Sequence, residues 1–170
     1  YDNEFYNLEI GDLIDNISER KNLVYYLDPP YTNDHYSRFY HILEVLIDYD
    51  YPELERKMIR GKVRVLNGRY PVGRFQSPLS IPSKAKVEFD TIFKKIASSG
   101  ALLVLSYSDA DAGGRRRVVN RLELQELLAK YFNTVEAFEI NHDYRKLNKE
   151  ELNVTSEFTR ELIFVGANYG

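Results

Sequence analysis

Cysteine is absent from all 170 residues, which excludes disulfides and any metal site built on thiolates. No metal is expected, and the missing thiols fit a reducing cytoplasm, the expected compartment. No apolar run approaches the roughly 20 residues needed to span a bilayer, and no secretory leader is visible. A membrane role is therefore not expected. Acids outnumber bases by 26 to 23, for a net charge of −3, so the chain is not basic all over. Between Arg56 and Arg74, however, the acids vanish. Arg56, Lys57, Arg60, Lys62, Arg64, Arg69 and Arg74 stand there unopposed. A second basic run, Arg115-Arg116-Arg117, follows Gly113-Gly114. Each run reads either as a solvated loop or as a patch that contacts phosphates.

What is present is ordinary for one globular domain: 44% hydrophobic and 29% charged residues. The chain opens on Tyr1 rather than Met, and a fragment or trimmed chain is the expectation. "NLVYYL" (22–27) is β-branched and aromatic and ends on prolines, which predicts a buried strand. "GDLIDNI" (11–17) before it has the spacing of one or two helical turns. Beyond the prolines, Tyr36, Phe39, Tyr40, Leu43, Leu46 and Ile47 mark one face of a helix running to about Asp48, with Tyr40 expected in the core. Periodicity is then lost from about 53 to 82, a long insertion of loop or short ribbon. Ser83 opens a helix whose stop is Gly100. "ALLVLSYS" (101–108) predicts a second buried strand. Asn120 and Glu123 have capping-box spacing for a helix to about Tyr131. "TVEAFEI" (134–140) and "ELIFVGA" (161–167) close the series. Strands alternating with amphipathic helices predict an α/β fold with a mostly parallel sheet, and the last two strands, with no helix between them, an antiparallel pair.

In an open α/β sheet, ligands bind at the carboxyl ends of the strands. Asp28-Pro29-Pro30-Tyr31 stands at such an end. Two prolines remove two N–H donors and fix φ. The corner then offers acceptors only, a carboxylate and a carbonyl, beside an aromatic face. That suits a planar –NH2 group, both of whose hydrogens are accepted while its ring stacks on Tyr31. Two such acceptors aim the lone pair of a weakly nucleophilic exocyclic amine and stabilise the positive charge that grows on it during alkylation. The plainer reading is a turn, since Asp before Pro is common turn chemistry. By chance the string falls in roughly one chain in a thousand of this length, which favours the functional reading.

These residues resemble the adenine-specific DNA methyltransferases that use S-adenosylmethionine, whose catalytic motif is an Asp/Asn/Ser-Pro-Pro-aromatic tetrapeptide after a strand. The resemblance extends through "YTNDHYSRFYHILEVLIDYDYPE", "GRYPVGRFQSPLS" and "GALLVLSYS". It implies a portion, residues 1–170, of a Rossmann-like methyltransferase catalytic domain, with the basic insertion at about 53–82 as target-recognition region. By the same resemblance Asp28 and the Pro29 carbonyl hold the N6 amine of a base flipped out of double-stranded DNA, Pro30 completes the corner, and Tyr31 stacks on the adenine. Asp12 and Leu13 are implied at the cofactor's adenosine, although the family often carries an aromatic where Leu13 stands. The family also needs a glycine-rich loop for the methionine end of the cofactor, and none exists here. An upstream segment or partner chain is the expected source of that loop.

Thr32, His35, Tyr36, Arg38, Arg69, Arg74 and Ser77 are the candidate contacts to substrate DNA, because Arg and Ser commonly supply such contacts. Ser106 and Tyr107, at the end of the next strand, are expected in the same crevice. Adenine-N6 methylation within a restriction-modification system is the leading expectation. Methylation of RNA guanine-N2 or protein glutamine uses a similar turn and stays open, as does a non-catalytic DNA-binding remnant.

Overall fold

The computed structural model describes residues 3–33, 37–66, 70–73, 75–108, 117–143 and 158–169. Its helices begin and end where side-chain chemistry allows. Helix α4 (Arg121–Tyr131) is opened by a full capping box: the Asn120 side chain accepts from the Glu123 N–H, and the Glu123 carboxylate accepts from the Asn120 N–H. Helix α3 (Pro82–Ser98) starts on a proline, which needs no partner for a missing N–H. It ends before Gly100, whose φ of 70° only glycine adopts without strain. Helix α1 (Ile10–Ile17) is held on α3 by Lys95, which donates to the Gly11 carbonyl at 3.1 Å and pairs with Asp15 at 2.6 Å. Helix α2 (Ser37–Asp48) follows the proline corner.

Among the described residues, six strands form two sheets. β1 (Val24–Leu27), β4 (Leu102–Ser108), β5 (Thr134–Asp143) and β6 (Phe158–Ala167) make a four-stranded sheet in the order β1-β4-β6-β5. β2 (Arg56–Ile59) and β3 (Lys62–Val65) form a separate hairpin. The turn residues Arg60 and Gly61 both have positive φ, 51° and 73°, the twist that closes a tight hairpin.

The expectation of a mostly parallel sheet needs correction. β1 pairs parallel to β4, but β4–β6 and β5–β6 are antiparallel ladders. β5 does run in the same direction as β4, since both oppose β6. The reason for the difference is insertion: β6 lies between β4 and β5 rather than at the end of the sheet. The antiparallel closing pair is as expected.

One face of this sheet carries the core. Tyr25, Leu103, Leu105, Tyr107, Leu162 and Phe164 pack with Phe89, Phe93, Ile96, Leu124 and Leu128 of α3 and α4. The strand over 22–27 is not buried on both faces as expected. It is an edge strand, with Val24 and Tyr26 59% and 62% exposed while Tyr25 is buried. Tyr40 likewise departs from its expected core position, being 49% exposed, and Leu43, Leu46 and Ile47 are exposed with it. Among the α2 residues whose burial is described, His41 is the buried one. No helix among the described residues is long and apolar enough to cross a membrane.

Gly166 lies across the ladder from Leu103, and a Cβ there would stand 2.9 Å from the Phe132 ring. Gly166→Ala is expected to destabilise the fold by about 1–3 kcal/mol through overpacking, and Asn120→Ala by about 1 kcal/mol through loss of the cap. Both should appear as lower urea midpoints at an unchanged slope.

Candidate active site

β1 and β4 run side by side with Leu27 opposite Leu105. β1 then stops at the prolines, whereas β4 continues through Ser106, Tyr107 and Ser108. The register therefore sets those three residues alongside the corner from Asp28 to Tyr31. Alternation sends Tyr107 into the helical core and Ser106 to the opposite face, and both side chains meet Tyr31. The Tyr31 and Tyr107 rings pack edge to face, 5.3 Å between centroids. The Tyr31 hydroxyl donates to the Asp28 carboxylate and lies 3.4 Å from Ser106 Oγ. Ser106 in turn donates to Glu161 Oε1 at 2.7 Å.

The segment after the second crossing of the sheet closes the other side. The Val118 N–H donates to the Tyr31 carbonyl at 3.2 Å, and Thr32 and Arg117 form a bridge. The Arg117 guanidinium carbon sits 5.9 Å from the Tyr31 ring centroid, and its Nη2 donates to Ser108 Oγ at 2.9 Å. Tyr107 anchors this segment from beneath: its hydroxyl donates to the Val119 carbonyl at 2.7 Å and accepts from the Val119 N–H at 3.3 Å. Asp28 remains exposed and Pro29 is buried. A rigid, buried proline thus carries a carboxylate that faces solvent. Burial, and then the bond to Asp28, hold the Tyr31 phenol far above its ordinary pKa, with the Glu161 charge adding to the effect. Tyr31 is a neutral donor at any physiological pH.

Asp28 and Pro30 open onto a cavity of about 510 Å³ whose other walls include Tyr40, Glu44, Phe75 and Ser77. That volume is in the range of small-ligand pockets. Two acids and two aromatic rings give it the character of a site for a planar, hydrogen-donating group. Ser77 caps the short 3-10 turn at Pro78–Ser80 by accepting from the Leu79 N–H. Gln76 Nε2 donates to Asn33 Oδ1 at 3.2 Å, tying this wall to the residues just past Tyr31.

The same wall leads to the β2–β3 hairpin. Val72 donates to the Glu53 carbonyl, Glu55 to the Tyr70 carbonyl, and Leu54 bridges Pro71. In the hairpin Lys57 stands opposite Arg64, and Ile59 opposite Lys62. Directly paired residues share a face, so Lys57, Lys62 and Arg64 lie together on one side of the ribbon, all exposed. Like charges directly across a ladder are destabilising. A row of anions against that face would relieve the repulsion.

Sequence expectation and structure meet unevenly. The structure brings Asp28, Pro30 and Ser77 to one cavity, while Thr32 is bridged to Arg117. Asp12 is exposed and Leu13 half-buried on α1, outside the hydrogen-bonded cluster around Asp28. Arg38 is the second residue of α2, with its side chain outside the described set. His35, Tyr36, Arg69 and Arg74 lie outside the described residues, as do Gly113 through Arg116. Reasoning from sequence missed Glu161 and did not single out Arg117. The only signal for Arg117 was its place in the basic run.

The chain is 35% identical over 108 residues to the modification methylase LlaI of Lactococcus lactis subsp. lactis. The match covers 64% of this chain and 15% of that protein. No family model and no solved structure matches. The relative bears out the DNA methyltransferase resemblance at the level of the family, and does not bear on the tetrapeptide itself.

The raised phenols have a consequence for stability. Tyr31, Tyr107 and Tyr25 all hold their protons more tightly in the fold, each chiefly through burial. Their contribution is fully present below the unfolded pKa of about 10 and is lost as pH rises beyond it. Urea unfolding followed from pH 8 to pH 11 should show constant stability from these groups and then a decline above about pH 10. Tyr31→Phe should make that decline shallower.

Proposed function

We propose that this relative of a modification methylase is the target-amine half of a site-specific DNA adenine-N6 methyltransferase, the modification component of a restriction-modification system. The observation that carries the reading is the acceptor corner at the end of β1, opening onto a cavity with acidic and aromatic walls. In this reading the Asp28 carboxylate and Pro29 carbonyl accept the two N6 hydrogens, and Pro30 keeps the turn rigid. The Tyr31 ring supplies an apolar face to the base. The amine nitrogen is thereby pyramidalised, and the charge it gains on methylation is met by a fixed carboxylate. A paired adenine cannot reach the corner, so the base must leave the duplex.

S-adenosylmethionine, when bound, supplies the electrophilic methyl group. The residues present fit the amine side of that reaction. They do not by themselves fit the cofactor: the sequence holds no Phe-x-Gly-x-Gly-like string, and Asp12 and Leu13 are the chain's own candidates for the adenosine. β1 has a hydrogen-bonded neighbour on one side only among the described strands, and its Val24–Tyr26 face is exposed. An upstream segment or partner chain that brings the glycine loop would complete a Rossmann-like sheet there.

The substrate assignment to double-stranded DNA is supported by the hairpin. A two-stranded ribbon is narrow enough for the major groove, and Lys57, Lys62 and Arg64 give it one basic face. The region from about 53 to 82, Arg69, Arg74 and Ser77 included, is then the target-recognition part. Thr32, His35, Tyr36 and Arg38 are candidate contacts near the flipped base.

Expressed with its upstream polypeptide in methylation-deficient cells, the protein should yield N6-methyladenine detectable by mass spectrometry of nucleosides. Asp28→Ala should reduce the yield below detection. An Asp28→Ala variant that still methylates would sink the reading, and transfer to RNA or protein but not DNA would redirect it. Replacing Lys57, Lys62 and Arg64 together by Ala should weaken binding to duplexes of any sequence. The slope of log affinity against log salt should become shallower by about 0.9 for each phosphate that is no longer neutralised.

A further inference from the structure

The acceptor corner already holds a donor of its own. The Tyr31 hydroxyl donates to Asp28 Oδ1, so that oxygen would share its lone pairs between the phenol and an incoming amine while Oδ2 stays free. For that oxygen to accept from an incoming N–H without competition, the phenol hydrogen needs another acceptor. The phenol is half-buried, and its hydroxyl stands between Asp28 and Ser106.

Ser106 is the group within reach, at 3.4 Å. A serine hydroxyl has one hydrogen and two lone pairs. Were its hydrogen turned toward Tyr31, Ser106 would be a donor there and would leave the phenol hydrogen fixed on Asp28. Its hydrogen is instead on Glu161 Oε1 at 2.7 Å, a bond to a carboxylate and so the stronger of the two alternatives. Ser106 is fully buried, so no bulk water competes for that hydrogen. Glu161 owes its position to the β4–β6 ladder, in which it stands opposite Ser108, two residues beyond Ser106 on the same face.

We propose that Glu161 and Ser106 form a receiving acceptor for the Tyr31 hydrogen, so that Tyr31 swings its hydroxyl from Asp28 to Ser106 when the substrate amine binds. Neither residue touches substrate; both are positioning residues for Asp28. Before binding, the Tyr31 hydrogen fixes the carboxylate in one orientation and keeps it from collecting stray donors. On binding, the same hydrogen moves to Ser106 and Asp28 Oδ1 is released to accept from the amine, whose second hydrogen goes to the Pro29 carbonyl. No proton changes owner in this step. The Tyr31–Asp28 hydrogen bond breaks, the Tyr31–Ser106 bond forms, and the Ser106–Glu161 bond is kept throughout. The device rests on the reading of Asp28 as the amine acceptor.

Two measurements test it, and they fail separately. In methyl transfer by the full-length protein, Ser106→Ala and Glu161→Ala are each expected to lower kcat about fivefold, the size of one ordinary hydrogen bond, with DNA affinity unchanged. In a Tyr31→Phe background there is no hydrogen to relocate, and neither substitution should lower kcat further. Losses that persist in that background would show a merely structural role and overturn the proposal, as would an unchanged kcat in the Tyr31 protein. The second measurement needs no activity. With tyrosine labelled at 13Cζ, the Tyr31 resonance is assigned by its loss in Tyr31→Phe. Asp28→Ala should shift it as the hydroxyl turns to Ser106, and adding Ser106→Ala should shift it again. A Tyr31 resonance indifferent to Ser106 would overturn the swing even if methylation is confirmed. A responsive resonance without any methylation would instead reject the functional reading and leave the hydroxyl chain standing.

Discussion

The parallel ladder between β1 and β4 stops with Leu27 opposite Leu105, and β4 then runs on for three residues that β1 cannot match. Two prolines force that inequality, because neither can donate to a ladder and both fix the backbone away from a continuing strand. The overhang is what gives the corner its surroundings. Ser106 meets the phenol of Tyr31, Tyr107 supports its ring from the core side, and Ser108 receives Arg117. Shifting the register by one residue would send Tyr107 to the outer face and Ser106 into the helical core. The hydrogen-bonded chain from Asp28 to Glu161 would then have no middle.

Rigidity and exposure are separated along four residues. Pro29 is buried while Asp28, next to it, is exposed, and Tyr107 clamps the Val119 backbone in both directions from a fully buried position. The charge that meets a ligand is thus carried by a surface group, and its aim is determined by residues in the core. Stability of the core and geometry of the corner are linked through Tyr107, which belongs to both. The hairpin side is built differently. The β2–β3 hairpin is exposed on both faces and attached to the cavity wall by backbone bonds around Leu54 and Pro71. It adds charge and reach with little apolar burial of its own.

Much of the fold was legible because local chemistry is read locally. Asn120 and Glu123 announce the start of α4 by spacing alone, and Gly100 ends α3 as a left-handed glycine must. The apolar runs at 101–108 and 161–167 are strands because no other element buries so continuous a stretch. The sheet's pairing was not legible, since no residue in 158–167 states that the strand will lie between β4 and β5. The exposure of Tyr40, Leu43 and Leu46 escaped for a related reason: periodicity marks an apolar face but says nothing of whether a partner covers it. At the site, Asp28, Pro29, Pro30 and Tyr31 were visible as a contiguous string. Glu161 was not, because it reaches Tyr31 only through Ser106, and each link in that chain joins residues more than fifty positions apart. Ser77, expected as a nucleic-acid contact, is seen to cap a turn, and a hydroxyl-bearing residue signals either use in the same way.

The place of β6 has a temporal meaning. It is the last described strand to be synthesised, yet it holds a central position, joined to β4 on one side and to β5 on the other. Until Phe158–Ala167 has emerged, β4 and β5 have no ladder between them, and each has a bare flank. β5 joins the rest of the sheet only through β6, its partner in the antiparallel pair, so β4 gains both strands together when that pair docks. The acceptor corner is translated early but is finished late, because Glu161 arrives on that same strand.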